Sequence, residues 1–285
     1  MVAAKRVIVA GSGGVFGKLL VSELAGKFDV VAATRRDFDL DDVDSVARAA
    51  RGAYAFACTA GPFQRLDRRI VRAVVESGAH WVDIADDPAW FFGLVDDRAL
   101  DTLAHERGVA VIPGLSSLPA ISCALVRRLH PVDKVDITLR INNRNQKGAA
   151  AIASSTYSSA GAFETPDREL LRRELGVEAE VHVKFEVPFA STLIRALRIV
   201  PESSRVKVSR FMSRIAKPFG RFGSSGGWVE VRGGKNTVRV TGRDQRFAIL
   251  PVVFALEHLD GISGCLSPTH AFHPEELLQF VEERA

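Results

Sequence analysis

Arg6-Val7-Ile8-Val9-Ala10-Gly11-Ser12-Gly13-Gly14-Val15-Phe16-Gly17 is the stretch that decides the fold. An apolar run enters a glycine cluster, and Leu19, Leu20, Leu24 and Ala25 then recur at helical spacing. The order is strand, tight turn, helix N-terminus. Unbonded backbone N–H groups and the positive end of the helix dipole make such a turn a cradle for pyrophosphate. Glycine allows the tight turn and the close approach of phosphate to the backbone. The glycines fit two spacings. Gly11 and Gly13 read as G-x-G, with Phe16 at the third glycine position, and Gly11, Gly14 and Gly17 read as G-x-x-G-x-x-G.

Context strengthens the motif. A second apolar run, Val30-Val31-Ala32-Ala33-Thr34, follows the helix and ends in Arg35-Arg36. A carboxylate that reads the ribose of NAD would sit about 20 residues past the loop. Arginines there attract a 2′-phosphate instead, so the expected cofactor is NADP rather than NAD. Alternating strands (Val7–Ala10, Asp29–Thr34, Tyr54–Thr59, Trp81–Ile84, Val109–Ile112) and helices (Gly14–Gly26, Val43–Ala50, Leu66–Ser77, Pro88–Arg107) predict a parallel α/β sheet of Rossmann type over residues 1–118. Only the short Phe38-Asp39-Leu40 run stands where a third strand belongs, and a parallel crossover needs about a dozen residues. That strand is either a short edge reached by a loop or absent. One of Asp39, Asp41 and Asp42 is expected to cap the next helix.

Beyond Leu118 the pattern changes. A helix is expected over Pro119–Leu129, then strict alternation over 135–142 and again over 181–187 predicts half-buried strands. Trp228–Arg232 and Thr237–Thr241 flank Gly233-Gly234 as a hairpin. Residues 119–285 therefore read as an α+β domain with a mainly antiparallel sheet, covered by helices over 148–160, 166–175 and 244–259. A last helix over 274–283 is free to return to either domain.

At 285 residues, 47% hydrophobic and 25% charged, the chain can bury a sizeable core. Cys58, Cys123 and Cys265 are too few and too scattered for a disulfide framework, and no apolar run suits a membrane span, so a cytoplasmic setting is expected. Residues 1–118 hold 14 basic and 16 acidic side chains, whereas the remainder holds 24 and 18. The basic excess gathers in 193–221, where Val208, Phe211, Met212, Ile215 and Phe219 share one helical stripe. A helix packed on the second sheet is the simpler reading of that segment, and an anionic membrane surface is the alternative partner. No nucleic-acid partner is expected.

The motifs Gly11–Gly17, Cys58-Thr59-Ala60-Gly61-Pro62-Phe63, Gly78-Ala79-His80-Trp81-Val82-Asp83-Ile84-Ala85-Asp86, Pro113-Gly114-Leu115-Ser116-Ser117-Leu118-Pro119, Asn143-Arg144…Gly148 and Arg221-Phe222-Gly223-Ser224 run in an order that resembles the saccharopine dehydrogenase-like oxidoreductases. The resemblance implies an NADP-binding Rossmann domain, an α+β second domain, a small organic substrate and hydride transfer at a carbon bonded to nitrogen or oxygen. The near absence of a helix after the second strand departs from the family, as does the short chain, so lysine-pathway chemistry is not carried over.

The expected cofactor residues are Gly11, Ser12, Gly13, Gly14, Val15, Phe16 and Gly17 at the pyrophosphate, Thr34, Arg35, Arg36 and Asp39 at the adenosine end, and Cys58, Thr59, Ala60, Gly61 and Pro62 near the nicotinamide. Asp83 and Asp86 end a strand, where a carboxylate can orient a ribose or shuttle a proton. Ser116, Ser117, Asn143 and Arg144 are the substrate candidates, since helix N-termini, amides and a guanidinium suit an anionic group. His270 and His273 are spaced loosely and lack thiolate neighbours, so no metal is expected. Ser155 and Tyr157 evoke short-chain dehydrogenases, but the lysine that family resemblance requires four residues on is Gly161. A homodimer is expected by analogy. A regulatory nucleotide-binding protein without turnover, or a lipid-modifying reductase at a membrane, are the alternatives to a soluble oxidoreductase.

Overall fold

A computed structural model describes residues 4–142, 144, 164–186 and 224–285. The chain divides into two compact units. The first comprises 1–116 with 249–273, and the second 117–248 with 274–285. The units are therefore interleaved in sequence. Residues 249–258, expected to cover the second sheet, lie in the first unit, and the final helix lies in the second.

In the first unit, β1 (Arg6–Ala10), α1 (Val15–Leu24), β2 (Asp29–Ala33), α2 (Val43–Ala50), β3 (Ala55–Cys58), α3 (Arg69–Glu76), β4 (His80–Asp83), α4 (Pro88–Val95), α5 (Arg98–Arg107) and β5 (Ala110–Ile112) alternate as the sequence predicts. A two-residue strand, β10 (Gly264–Cys265), joins β5 from the returning segment and makes a six-stranded parallel sheet in the order β10-β5-β4-β3-β1-β2. β3 and β5 are apolar throughout and every residue of β4 is buried, as expected of a parallel sheet covered on both faces. Phe56 stacks on Trp81 at 5.3 Å, and Trp90 leans on Trp81 at 6.3 Å.

The missing third strand is absent. Residues 34–42 form a turn and loop that lead into α2, which Asp42 caps by accepting from the N–H groups of Asp44 and Ser45. Phe38 fills the place of the lost crossover by burying its ring against Phe56, 5.5 Å away. The helix expected over Pro88–Arg107 is two helices, because Asp97 caps a second start at Arg98. The returning segment is tied to the N-terminal ends of the strands by Asp260, which takes Lys5 Nζ at 2.5 Å and Tyr54 Oη at 2.9 Å. Its helix α8 (Leu250–His258) buries almost every side chain.

The second unit has a four-stranded mixed sheet, β7-β6-β8-β9, built from β6 (Lys134–Ile141), β7 (Glu178–Phe185), β8 (Gly227–Gly233) and β9 (Asn236–Gly242). β6–β8 and β8–β9 are antiparallel, but β6 and β7 run parallel. Helices α6 (Ser122–Leu129), α7 (Asp167–Leu175) and α10 (Pro274–Arg284) belong to this unit. Arg128 of α6 holds Glu275 and Glu282 of α10 at 2.9 and 2.7 Å. A short helix, α9 (Pro268–Ala271), belongs to the first unit. Residues 193–221, Asn143, Gly148, Ser155 and Tyr157 lie outside the described residues.

Candidate functional site

The strand order reverses between β1 and β3. In open parallel sheets, ligands bind outside the carboxyl ends of the strands at such a reversal. The glycine loop lies there. Gly11 has φ +81°, and a Cβ on it would sit 2.9–3.0 Å from three atoms of Ala60. Only glycine fits a turn both left-handed and pressed against the end of β3. At Gly17 a Cβ would lie 2.2 Å from the Gly11 carbonyl oxygen, so that glycine seats α1 on the loop. Gly11 and Gly17 are thus required by the chain itself, which selects the spacing Gly11, Gly14, Gly17 for the structural positions.

Gly13 is different. Among the described residues a Cβ there would meet only Thr34 Cγ2, at 3.9 Å, and the residue is exposed with φ outside the left-handed region. None of the described residues demands glycine at this point, whereas a phosphate approaching the backbone would. Next to it, Gly14 stands at the N-cap of α1 with no side chain capping the helix. The first-turn N–H groups of a helix without such a cap, those of Val15 and Phe16 here, are of the kind that suits an anion. These features fit a dinucleotide phosphate.

Ser12 does not face that anion with its hydroxyl. Its Oγ donates to the Ala33 carbonyl at 2.9 Å and its N–H to the same oxygen at 3.1 Å, which ties the loop to β2. At the end of β2, Thr34, Arg35 and Arg36 are exposed on a turn. Asp37 closes the turn by accepting from the Thr34 N–H at 2.7 Å and hydroxyl at 2.9 Å. Those bonds, with the nearby Arg36 charge, hold its carboxyl below the usual range. Asp37 was missed in the sequence, although a threonine and an aspartate three apart after a strand are a visible turn signal. Asp39 instead caps the loop locally, accepting from the Asp41 N–H at 3.1 Å.

On the other side of β1, Thr59 donates both its N–H and its hydroxyl to the Ala10 carbonyl, at 3.0 and 2.8 Å. Ala60, Gly61 and Pro62 follow as a partly exposed segment with a cis Gly61–Pro62 bond. Cys58 is buried, and burial pushes its thiol up to about 12. It is a packing residue, and only its backbone is placed to line a ligand.

Asp83 is fully buried and accepts four hydrogen bonds, from Trp81 Nε1 (2.9 Å), Trp90 Nε1 (2.8 Å), the Ala85 N–H (2.9 Å) and the Gly114 N–H (3.0 Å). Burial raises its pKa, and the four donors oppose that rise. Such a carboxyl clasps β4, α4 and the segment after β5 together, and the catalytic expectation for it gives way to this structural one. Asp86 is partly exposed in the loop after β4, while its neighbour Asp87 caps α4 through the Trp90 N–H at 2.8 Å.

The substrate candidates scatter. The chain passes from the first unit to the second after Ser116. Ser117 is buried and opens a π-turn over 117–121, and α6 starts only at Ser122 without a side-chain cap. Neither serine caps α6, whose N-cap is Ile121. Arg144 donates its N–H to the Ser224 carbonyl at 3.0 Å, prolonging the pairing of β6. On β6 and β7, Asp136, Glu180 and His182 bring ligand-type atoms within 4.8 Å of one another on an exposed face. Lys134 already pairs with Glu180 at 2.8 Å. The parallel register that makes this group was not readable in the sequence.

No family model matches the chain. A "Lipid droplet localized protein" of Caenorhabditis elegans is 34% identical over 102 residues, which is 35% of this chain and 23% of that protein's length. Among solved structures, a saccharopine dehydrogenase (L-Glu forming) from Saccharomyces cerevisiae superposes with TM-score 0.54 at 9% identity, covering 98% of this chain and 96% of that one. A DAP dehydrogenase of C. glutamicum, solved in complex with DAP, superposes with TM-score 0.50 at 13% identity, covering 97% and 96%. At these identities the likeness establishes the fold: a Rossmann-type parallel sheet joined to an α+β domain.

Proposed function

We propose that the chain is an NADP-dependent oxidoreductase of the saccharopine dehydrogenase-like type, acting on a carbonyl, imine or enoyl carbon of a small organic substrate. The observation that supports this best is Gly13, a glycine that none of the described residues requires, exposed beside a helix N-terminus with no side-chain cap at the strand reversal. The two superposable enzymes are named as dehydrogenases, which agrees with that reading. Gly13, Gly14 and the first turn of α1 hold the pyrophosphate, Arg35 and Arg36 the 2′-phosphate, and the backbone of 59–62 the nicotinamide ribose. The cofactor supplies or accepts the hydride. Asp86 is the proton-handling candidate that remains at a strand end once Asp83 is committed to its four donors. Ser116, Ser117, Asn143 and Arg144 remain candidates for substrate contact.

A second reading, reduction of a lipid-borne substrate at a membrane or droplet surface, is favoured by the name of the curated relative. None of the described helices is long and apolar enough to cross a membrane, so this reading requires attachment at the surface. A cytoplasmic location and a homodimer belong to the same proposal. The test is a screen of carbonyl, imine and enoyl compounds, free and in lipid vesicles, followed by NADPH absorbance at constant enzyme. Turnover of one class identifies the substrate. NADPH binding without turnover of any of them favours the regulatory alternative.

A further inference from the structure

We propose that Asp37 is a positioning residue, whose carboxylate pre-forms the turn over 34–38 so that Arg35 and Arg36 receive the 2′-phosphate of NADP; the inference rests on the cofactor reading above. In a Rossmann sheet the group that reads the ribose stands about 20 residues past the glycine loop, beyond the end of the second strand. Here no helix forms until α2 at Val43, so the arginines must be held by something else.

Two anchors hold the turn. Asp37 Oδ2 takes both polar hydrogens of Thr34, at 2.7 and 2.9 Å, and Thr34 Oγ1 in turn accepts the Arg36 N–H at 3.3 Å. The backbone closes the same turn, with the Asp37 N–H on the Thr34 carbonyl at 2.9 Å. The second anchor is Phe38, buried against Phe56. Asp37 thus spans the two exposed arginines from below, between a strand end and a plugged aromatic ring.

The turn is also set against the phosphate loop. Ser12 bonds Ala33 through both N–H and hydroxyl, and the side a Gly13 Cβ would occupy looks onto Thr34 Cγ2 at 3.9 Å. One rigid ledge therefore runs from the glycine loop to the arginines. A flexible turn would have to order itself and two long side chains when the ligand arrives, and preorganisation removes that cost. The benefit falls only on a ligand that reaches the arginines, so it favours NADPH over NADH.

The test compares wild type with Asp37→Ala, Asp37→Asn and Thr34→Val, each titrated calorimetrically with NADPH and with NADH. Asp37→Ala removes both the brace and a negative charge. Asp37→Asn removes the charge but keeps an acceptor for Thr34. We expect Asp37→Ala to weaken NADPH about tenfold and NADH less than twofold. Asp37→Asn should keep most of the preference, and Thr34→Val should move in the direction of the alanine variant. Equal loss of the two cofactors would mean a merely structural role and would overturn the proposal. So would identical behaviour of the alanine and asparagine variants, which would assign the effect to charge. A wild type that binds NADPH and NADH alike overturns the cofactor reading itself, a result separable from any failure of the variants.

Discussion

Replacing Gly13 separates folding from cofactor binding more cleanly than any other substitution in the loop. The added Cβ of Gly13→Ala has 3.9 Å to its nearest neighbour, and the residue's φ is not in the left-handed region. The folded state should accept it, and the unfolded chain loses freedom, so stability should stay level or rise by about 0.4–1 kcal/mol. Binding should respond otherwise. A phosphate oxygen must come within roughly 2.9 Å of a backbone nitrogen to bond it, and a methyl group on the exposed side obstructs that approach. Loss of one charge-assisted hydrogen bond costs about 1.5–3 kcal/mol, which is roughly 10- to 150-fold in affinity. Gly13→Val should obstruct more fully. Gly11→Ala is the contrast, since φ +81° and three Ala60 atoms within 3.0 Å oppose its Cβ. It should lose about 2–4 kcal/mol of stability from left-handed strain and overpacking together. Urea denaturation and NADPH fluorescence titration of the three variants give both quantities. A folded Gly13→Ala protein with wild-type NADPH affinity would exclude close phosphate approach at Gly13, and a loss of stability matching that of Gly11→Ala would mean that packing requires this glycine too.

Three further outcomes are expected. His80 is buried, accepts the Ala110 N–H at Nδ1 (2.9 Å), and has its pKa lowered from 6.5 to about 4, chiefly by burial. As pH falls through 6.5 the unfolded chain binds a proton that the folded one refuses until about 4, so stability should fall across that window by up to about 3 kcal/mol and level off below it. His80→Asn, which keeps an acceptor but does not titrate, should lack this component in urea melts from pH 8 to 4. Asp83→Ala strands four buried donors and should cost about 3–5 kcal/mol, with red-shifted emission from Trp81 and Trp90; an unchanged melting curve would contradict the clasp. Asp86→Asn should lower turnover roughly 100-fold or more while NADPH affinity stays constant, and loss of affinity instead would make it a ribose contact.

The parts of the fold legible in the sequence are those built from local signals. β1, the glycine turn and α1 announce themselves because a buried parallel strand is continuously apolar and a phosphate turn needs glycine. The second helix start at Arg98 was also visible in the Asp96-Asp97 pair, although unbroken helical spacing masked it. What was not legible depends on partners distant in the chain. Alternation over β6 and β7 marks a half-buried strand in either direction, so it cannot report that this pair is parallel. β10 is two residues long, too short for any period, and it exists because the Gly264 and Leu266 N–H groups each reach a β5-side carbonyl, of Val109 and Val111, at 3.0 Å, while Asp101 Oδ1 holds the Cys265 N–H at 2.7 Å. Asp83 looked chemical because it ends a strand, but its role was set by Trp90 and Gly114, whose proximity no local pattern reveals. At the candidate site the glycines and arginines were readable as residue types. Which glycines the chain itself requires and which it does not came only from the space around each one.

Calorimetry of wild type and of the double variant Arg35→Ala/Arg36→Ala asks whether the ledge from Gly13 to Arg36 takes a dinucleotide by its 2′-phosphate. Wild type should bind NADPH at least tenfold more tightly than NADH. The double variant should lose that preference through a weaker NADPH affinity alone, since charge-assisted bonds to the phosphate are worth about 1.5–3 kcal/mol. Equal affinities in wild type, or a preference for NADPH that survives removal of both arginines, would rule out that binding mode.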